Sequence, residues 1–229
     1  MKIQRLRLAV LVWCFASLAA LADDIPNEPR MEPLGDERYR IGSITVDRNT
    51  RSFAVPGTIL HLDTALEYVA VSRGGMKEYE SLLELDTLPR EFNLACILIG
   101  LDDAETVKPR YQFDDRDAEG PSVDITVSWE EDGETRSISA ANAMKTGDDT
   151  YDDDSWVYIG SNTSPDGEQF MADVAGTLIG FVHDPDSIIE HRNGAGIGAY
   201  GLLTGNEGVL PEEGSPVTLT VSVPPQETP

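Results

Sequence analysis

The 229-residue chain has two cysteines, three histidines and four lysines, and each shortage closes off a class of chemistry. Cys14 lies in an apolar run near the start, so the body of the chain carries Cys96 alone. One cysteine forms no intramolecular disulfide and supplies neither an iron–sulfur cluster nor a cysteine-based zinc site. Its surroundings, Phe92-Asn93-Leu94-Ala95-Cys96-Ile97-Leu98-Ile99, are apolar on nearly every side, which marks a buried hydrophobe and not a reactive thiol. Basic side chains are scarce as well: 17 stand against 41 acidic ones, for a formal net charge of -24. Such a surface repels nucleic acid and anionic lipid, and both are excluded as partners. Beyond the first 22 residues no apolar run is long enough to span a bilayer. There is no G-x-S-x-G elbow, Walker loop, dinucleotide fingerprint or H-E-x-x-H.

What is present begins with an export signal. Lys2, Arg5 and Arg7 form a basic segment, Leu8 to Leu18 an apolar one, and Ala20-Leu21-Ala22 a small-residue cleavage pattern. Residues 1–22 are therefore expected to be removed, leaving a secreted or periplasmic, soluble, acidic protein. Val12-Trp13 before Cys14 is not the small-residue context of a lipoprotein signal, so no lipid anchor is expected. Residues 23–40 hold three prolines and many charges without periodicity, and read as a disordered leader. The tail 224–229 reads the same way. Between them, residues 41–223 are long enough for one domain with a substantial core.

Within that domain, Ile44 and Val46 alternate with polar residues, as do Phe53 and Val55, which makes a hairpin. Leu66 to Ser72 and Glu80 to Leu85 read as further strands. Pro89 opens the best helix, with Leu88, Phe92, Ala95, Cys96 and Ile99 at helical spacing and Gly100 as its stop. Val123, Ile125, Val127 and Trp129 share a strand face, Asp132-Gly133 turns, and Thr135 to Ile138 return. Trp156 to Ile159, Phe170 to Asp173 and Gly176 to Val182 read as strands. Asp184-Pro185-Asp186 has the chemistry of a helix start. Val217, Leu219, Val221 and Val223 close the chain as one more strand. The expected class is α+β, predominantly antiparallel β, with about nine short strands, one well-defined helix (88–100) and one short helix (185–191).

Few side chains invite chemistry. Gly160-Ser161-Asn162 lacks the second glycine and the following helix of a nucleophile elbow, so Ser161 reads as a turn serine. His183 and Asp184 are adjacent, which on a strand points them to opposite faces, and Asp184 serves as a cap. His191 suits a helix C-terminus, and His61 with Asp63 reads as exposed alternation. The acids at 148–154 include Asp148, Asp152 and Asp154, hard oxygens of the kind Ca²⁺ takes. They lack the glycine and closing glutamate of an EF-hand.

The blocks from Val55-Pro56-Gly57 through Glu80-Ser81-Leu82-Leu83 and Leu94 to Leu101 resemble the YdjY-like exported bacterial proteins. The resemblance continues through Trp156 to Ser161, Phe170-Met171-Ala172-Asp173, His183-Asp184-Pro185 and Gly214 to Leu219. It covers about residues 41–223 and implies no mechanism, because the biochemical role of these proteins is unassigned. Members are sometimes labelled ferredoxin-like, but a single cysteine holds no cluster. The position before Glu80 is often histidine in such proteins and is Tyr79 here.

Three functions compete. The first is an exported binding or interaction module for a small molecule or an envelope protein, with Glu80, Ser81, Trp156, Tyr158, Ser161, Asp173, His183 and Asp184 as candidate binding residues. The second is a structural envelope domain stabilised by salt or by Ca²⁺ at Asp148, Asp152 and Asp154. The third is a metal-assisted hydrolase using His183 with Asp184, Glu80 or Asp173. The missing motifs point away from an enzyme and rank the binding module first.

Overall fold

The computed structural model describes residues 29–194 and 201–225. The export signal, the first part of the leader and the last residues of the tail lie outside these. Fifteen strands and two α-helices occur among the described residues. The organising feature is a closed barrel of eight strands. Going round the wall these are β4 (Ser52–Ile59), β15 (Pro216–Ser222), β7 (Ser122–Glu131), β11 (Trp156–Tyr158), β13 (Ile189–His191), β12 (Thr177–Gly180), β5 (Tyr68–Ser72) and β6 (Ser81–Leu85). Pairing of β6 with β4 completes the circuit. All neighbours are antiparallel except β12 with β13 and β5 with β6. With 40% strand and 9% helix, the protein is mostly β, and the expected α+β class with about nine strands is corrected.

Two wall strands carry branches. β4 uses Ser52–Ala54 to pair with β3 (Ile44–Asp47) and Gly57–Ile59 to pair with β6. The change of partner falls at Pro56, which has no N–H to give, and at Gly57. A Cβ on Gly57 would stand 2.6 Å from the carbonyl oxygen of Glu84. β7 likewise pairs with β11 near its start and with β8 (Glu134–Ser139) further on. β3 in turn pairs with β2 (Arg38–Ile41), and β2 with β1 (Met31–Gly35). Residues 31–40, expected to be a disordered leader, are thus mostly sheet. Asp36 and Glu37, both at positive φ (51° and 57°), form the turn between β1 and β2. The hairpin gives little hydrophobic signal because most of its side chains are exposed. A separate three-stranded sheet joins β10 (Asp149–Thr150), β9 (Met144–Thr146) and β14 (Leu203–Gly205).

Helix α1 (Pro89–Leu98) forms where its periodicity predicts. Pro89 starts it, Glu91 Oε2 accepts the Leu88 N–H at 3.2 Å, and Gly100 at φ +93° ends it. Its Phe92 meets Phe53 of β4 edge to face at 5.0 Å. Burying a phenylalanine of this kind contributes about 1.5–3 kcal/mol.

Two further expectations are overturned. Met171–Ala175 is the short helix α2, not a strand. The Ser161 hydroxyl accepts the Ala172 N–H, and Gly176 at φ +78° closes the last turn. Five residues are too few to show a period. Conversely, residues 185–191 are not a helix. Asp184 Oδ1 accepts the Asp186 N–H and its carbonyl accepts the Ser187 N–H, so the start signature makes one turn and stops. Ile188 and Ile189 are wholly buried, and β13 forms between β11 and β12. Sheet pairing and burial override the local cap.

Candidate functional site

On β13, Ile189 and His191 join the main core, while Glu190 points to the other side of the wall. There its partner Val157 packs with Ile159 and Ala118 in a second small cluster. The pairing Glu190↔Gly180↔Tyr68 places three residues side by side across β13, β12 and β5. Gly180 is necessary here: a Cβ would stand 2.3 Å from Glu190 Oε1 and 2.9 Å from the Ser187 hydroxyl. The Tyr68 hydroxyl donates to Asp184 Oδ2 at 2.7 Å, and Glu190 Oε1 accepts the Asp184 N–H at 3.3 Å. Glu190 is fully buried, and its Oε2 has no hydrogen-bond partner among the described residues. Burial, then the charge of Asp184, pushes the Glu190 carboxyl well above the ordinary range. Burial and Asp184 also raise the Tyr68 phenol. The result is a buried carboxyl, its proton affinity raised, beside a tyrosine–aspartate bond.

His183 lies next to this knot with 1% exposure. Its Nδ1 is 2.7 Å from the carbonyl oxygen of Asp114, and its Nε2 is 3.1 Å from those of both His191 and Arg192. No ring nitrogen is left for a metal or a substrate proton. Asp114 is itself held by Arg110 and Arg116, and the Arg110 contact keeps its carboxyl well below the usual range.

The other candidates are scattered. Trp156 is in the core, edge to face with His191 at 5.1 Å, its indole N–H donating to Asp154 Oδ1. The Tyr158 hydroxyl donates to Asn93 of α1 at 2.8 Å. Ser161, at φ +61°, donates to the Asp186 carbonyl, and its own carbonyl accepts from Lys108. Glu80 pairs with Lys77 at 2.7 Å, and the Ser81 hydroxyl donates to the Lys77 carbonyl. Lys77 sits 5.7 Å from the Tyr68 ring centre. Nearby Glu67 is pushed up by burial, then by Glu80. Asp173 binds the Arg90 guanidinium and its backbone N–H. Asp148, Asp152 and Asp154 are exposed, and Asp154 is engaged by the N–H groups of Ala141 and Trp156. Among the described residues no group of three or more histidine, cysteine, aspartate or glutamate side chains is placed to hold a metal ion. Asp184, Ser81 and, through Lys77, Glu80 thus gather at Tyr68, whereas His183 is bonded to the backbone of Asp114, His191 and Arg192, and Trp156, Tyr158, Ser161 and Asp173 hold other parts of the fold together.

A recess bordered by exposed apolar side chains lies elsewhere. A cleft of about 290 Å³ runs between residues 72–76, the start of α1 and residues 173–176. A second, of about 520 Å³, adjoins it through Arg73 and Leu88. Met76, Leu88 and Val174 line the first cleft at 61%, 51% and 46% exposure. Its base is backbone against backbone, since a Cβ on Gly176 would stand 2.4 Å from the Gly75 Cα. Sequence periodicity missed Met76 and Val174, each a lone apolar residue in a loop or near a helix end, and it placed Leu88 on the helical stripe, whereas Leu88 caps α1 and is half exposed. Glu190 did carry a signal, a carboxylate inside the apolar run Ile188-Ile189-Glu190-His191.

The family model for the YdjY domain matches residues 44–222, which run from β3 to β15 and take in the whole barrel wall. The chain belongs to the YdjY domain family. Neither a search of curated proteins nor one of solved structures finds a match.

Proposed function

We propose that the protein is an exported binding module, periplasmic or extracellular, that takes a small molecule or an envelope protein in the cleft between residues 72–76 and 173–176. The observation that carries this reading is the grouping of Met76, Leu88 and Val174, each about half exposed, around one recess. Exposed apolar side chains gathered at a concave surface mark interaction sites, whereas lone ones do not. Arg73 and Arg90 border the recess, and Asp173 already binds Arg90, so a ligand there would meet apolar side chains beside the exposed Arg73 guanidinium. The hydrolase reading has less support, because His183 and Asp173 are both committed to partners within the fold.

The test is a thermal-shift screen of small amphiphiles and short apolar peptides on the protein and on a Met76→Glu, Val174→Glu variant. Both positions are exposed, so the variant should melt as the parent does. A ligand that raises the parent's Tm and leaves the variant's unchanged supports the cleft. Equal shifts in both, or none in either, would overturn it.

A further inference from the structure

A recess of about 580 Å³ lies apart from the cleft at residues 72–76 and 173–176, with which it shares no lining residue. Four charged side chains line it. Asp102 and Glu105 follow α1, Glu119 comes just before β7, and Arg192 comes just after β13. Ala104 and Pro121 add an apolar wall. The backbone that carries these groups is tied down. Val107 and Glu119 exchange backbone hydrogen bonds of 2.8 and 3.0 Å, which join the first residues of the loop 102–121 to its last. The Arg192 N–H donates to the Ser155 carbonyl, and the Arg192 carbonyl accepts the Ala118 N–H. Gly120 is pressed against β11, where a Cβ would stand 2.2 Å from the Tyr158 carbonyl oxygen. A volume of this size suits a small molecule, and walls held by backbone pairing need little ordering when one binds.

The charges that line this recess are unpaired. Arg73, Arg90, Arg110 and Arg136 each hold a carboxylate. The half-buried Arg192 guanidinium has no hydrogen-bond or ion-pair partner among the described residues, although three carboxylates line the same recess. Glu105 and Glu119 are exposed, and their carboxylates have no partner among the described residues either. Asp102 accepts only the Ala104 N–H, at 2.9 Å. Opposite charges that share a concavity without touching leave a gap for a ligand that carries both signs. Three acids against one arginine give the lining a formal charge of -2, so the matching ligand leans positive.

We propose that this recess is a binding site for a small basic amino acid, with one carboxylate and two ammonium groups, as in lysine. The carboxylate pairs with both arms of the Arg192 guanidinium, and the ammonium groups donate to Asp102, Glu105 and Glu119. A carboxylate without an amine meets three like charges here. An amine without a carboxylate leaves Arg192 unpaired and sets a second cation beside it. The ligand bearing both signs is therefore preferred over either part. This site needs no contribution from the cleft between residues 72–76 and 173–176.

Two probes test the site: lysine, and cadaverine, which is lysine without its carboxylate. Each is titrated into the protein at neutral pH and constant ionic strength, and backbone amide shifts are followed by NMR. Lysine should bind saturably, moving the amides of residues 102–105, 119–120 and 192 and leaving those of residues 72–76 in place. It should bind at least about tenfold more tightly than cadaverine, the difference made by one charge-assisted pair. Arg192→Gln removes a side chain that has no partner, so the variant should melt as the parent does. In it the two affinities should come within about threefold of each other. Equal affinities in the parent would mean an acidic surface that attracts any cation, and the proposal would be wrong. It would be equally wrong if lysine did not bind, if the moving amides lay outside the recess, or if Arg192→Gln kept the preference for lysine. The ratio of the two affinities in the parent decides the matter even where the variant does not fold.

Discussion

The two halves of the barrel wall are built differently. In β4, β15 and β7 buried and accessible residues alternate, so that Phe53, Val55, Leu219 and Val127 face the core while Thr126, Thr218 and Thr220 look outward. In β5, β12, β13 and β11 every residue is buried. The first half shows water one face; the second is covered on both, by the core within and by loops such as 102–121 and 183–188 without. A polar side chain on the outer face of the first half is solvated without cost. On the outer face of the second half it must find a partner inside the protein or lose its charge. That is why Tyr68, Asp184, Glu190 and His183 gather in one half.

The contrast is open to direct attack. The largest effect should come from Trp156→Ala in the covered half, a loss of about 3–5 kcal/mol by urea denaturation. Thr220→Ala on the open half should stay within about 0.5 kcal/mol. Similar losses at the two positions would break the comparison.

Next comes Glu190. Its carboxyl binds a proton more tightly in the folded state than in the unfolded one. The stability it confers is therefore complete below the ordinary glutamate range and is lost as pH rises through its raised folded value. Glu190→Gln keeps the shape of the neutral acid and should be the more stable form at about pH 9, by about 1–3 kcal/mol. An exposed acid of the open half, as in Asp124→Asn, should leave the alkaline profile unchanged. Urea midpoints taken along a pH series would show both.

The smallest effect belongs to His191, on the inner side of the same strand. Burial lowers its affinity for a proton, and it stacks on Phe181 at 4.9 Å. Its contribution is present above the ordinary histidine range and lost as pH falls through the lowered folded value. His191→Phe keeps the aromatic contacts and should remove about 1 kcal/mol of acid sensitivity, read from the same midpoints.

These two halves also explain what the sequence made legible. The hairpins of β3–β4 and β7–β8 and the strand β15 announce themselves, because one wet face and one dry face write a period of two. Helix α1 is equally plain, since it has a proline start, a buried stripe and a glycine stop. Strands such as β13 are three residues long and buried all round, so nothing local separates them from the helix that Asp184-Pro185-Asp186 suggests. The β1–β2 hairpin fails for the opposite reason, having almost no buried face. Of the candidate binding residues, Asp184 and His183 were visible as an unusual pair. Their partners were not, because Tyr68 reaches Asp184 across 116 residues and Asp114 reaches His183 across 69.

The position of β15 has a consequence for the order of assembly. Residues 216–222 pair on one side with residues 52–58 and on the other with residues 124–128. Until that segment arrives, β4 and β7 each hold out an unpaired edge, and the wall has a gap one strand wide. Contacts so distant along the chain form late and slowly, and open strand edges in the meantime invite pairing with other chains. A chain emerging from its amino end would thus spend most of its synthesis as an unclosed sheet. The closing step would be a single insertion made by the final strand.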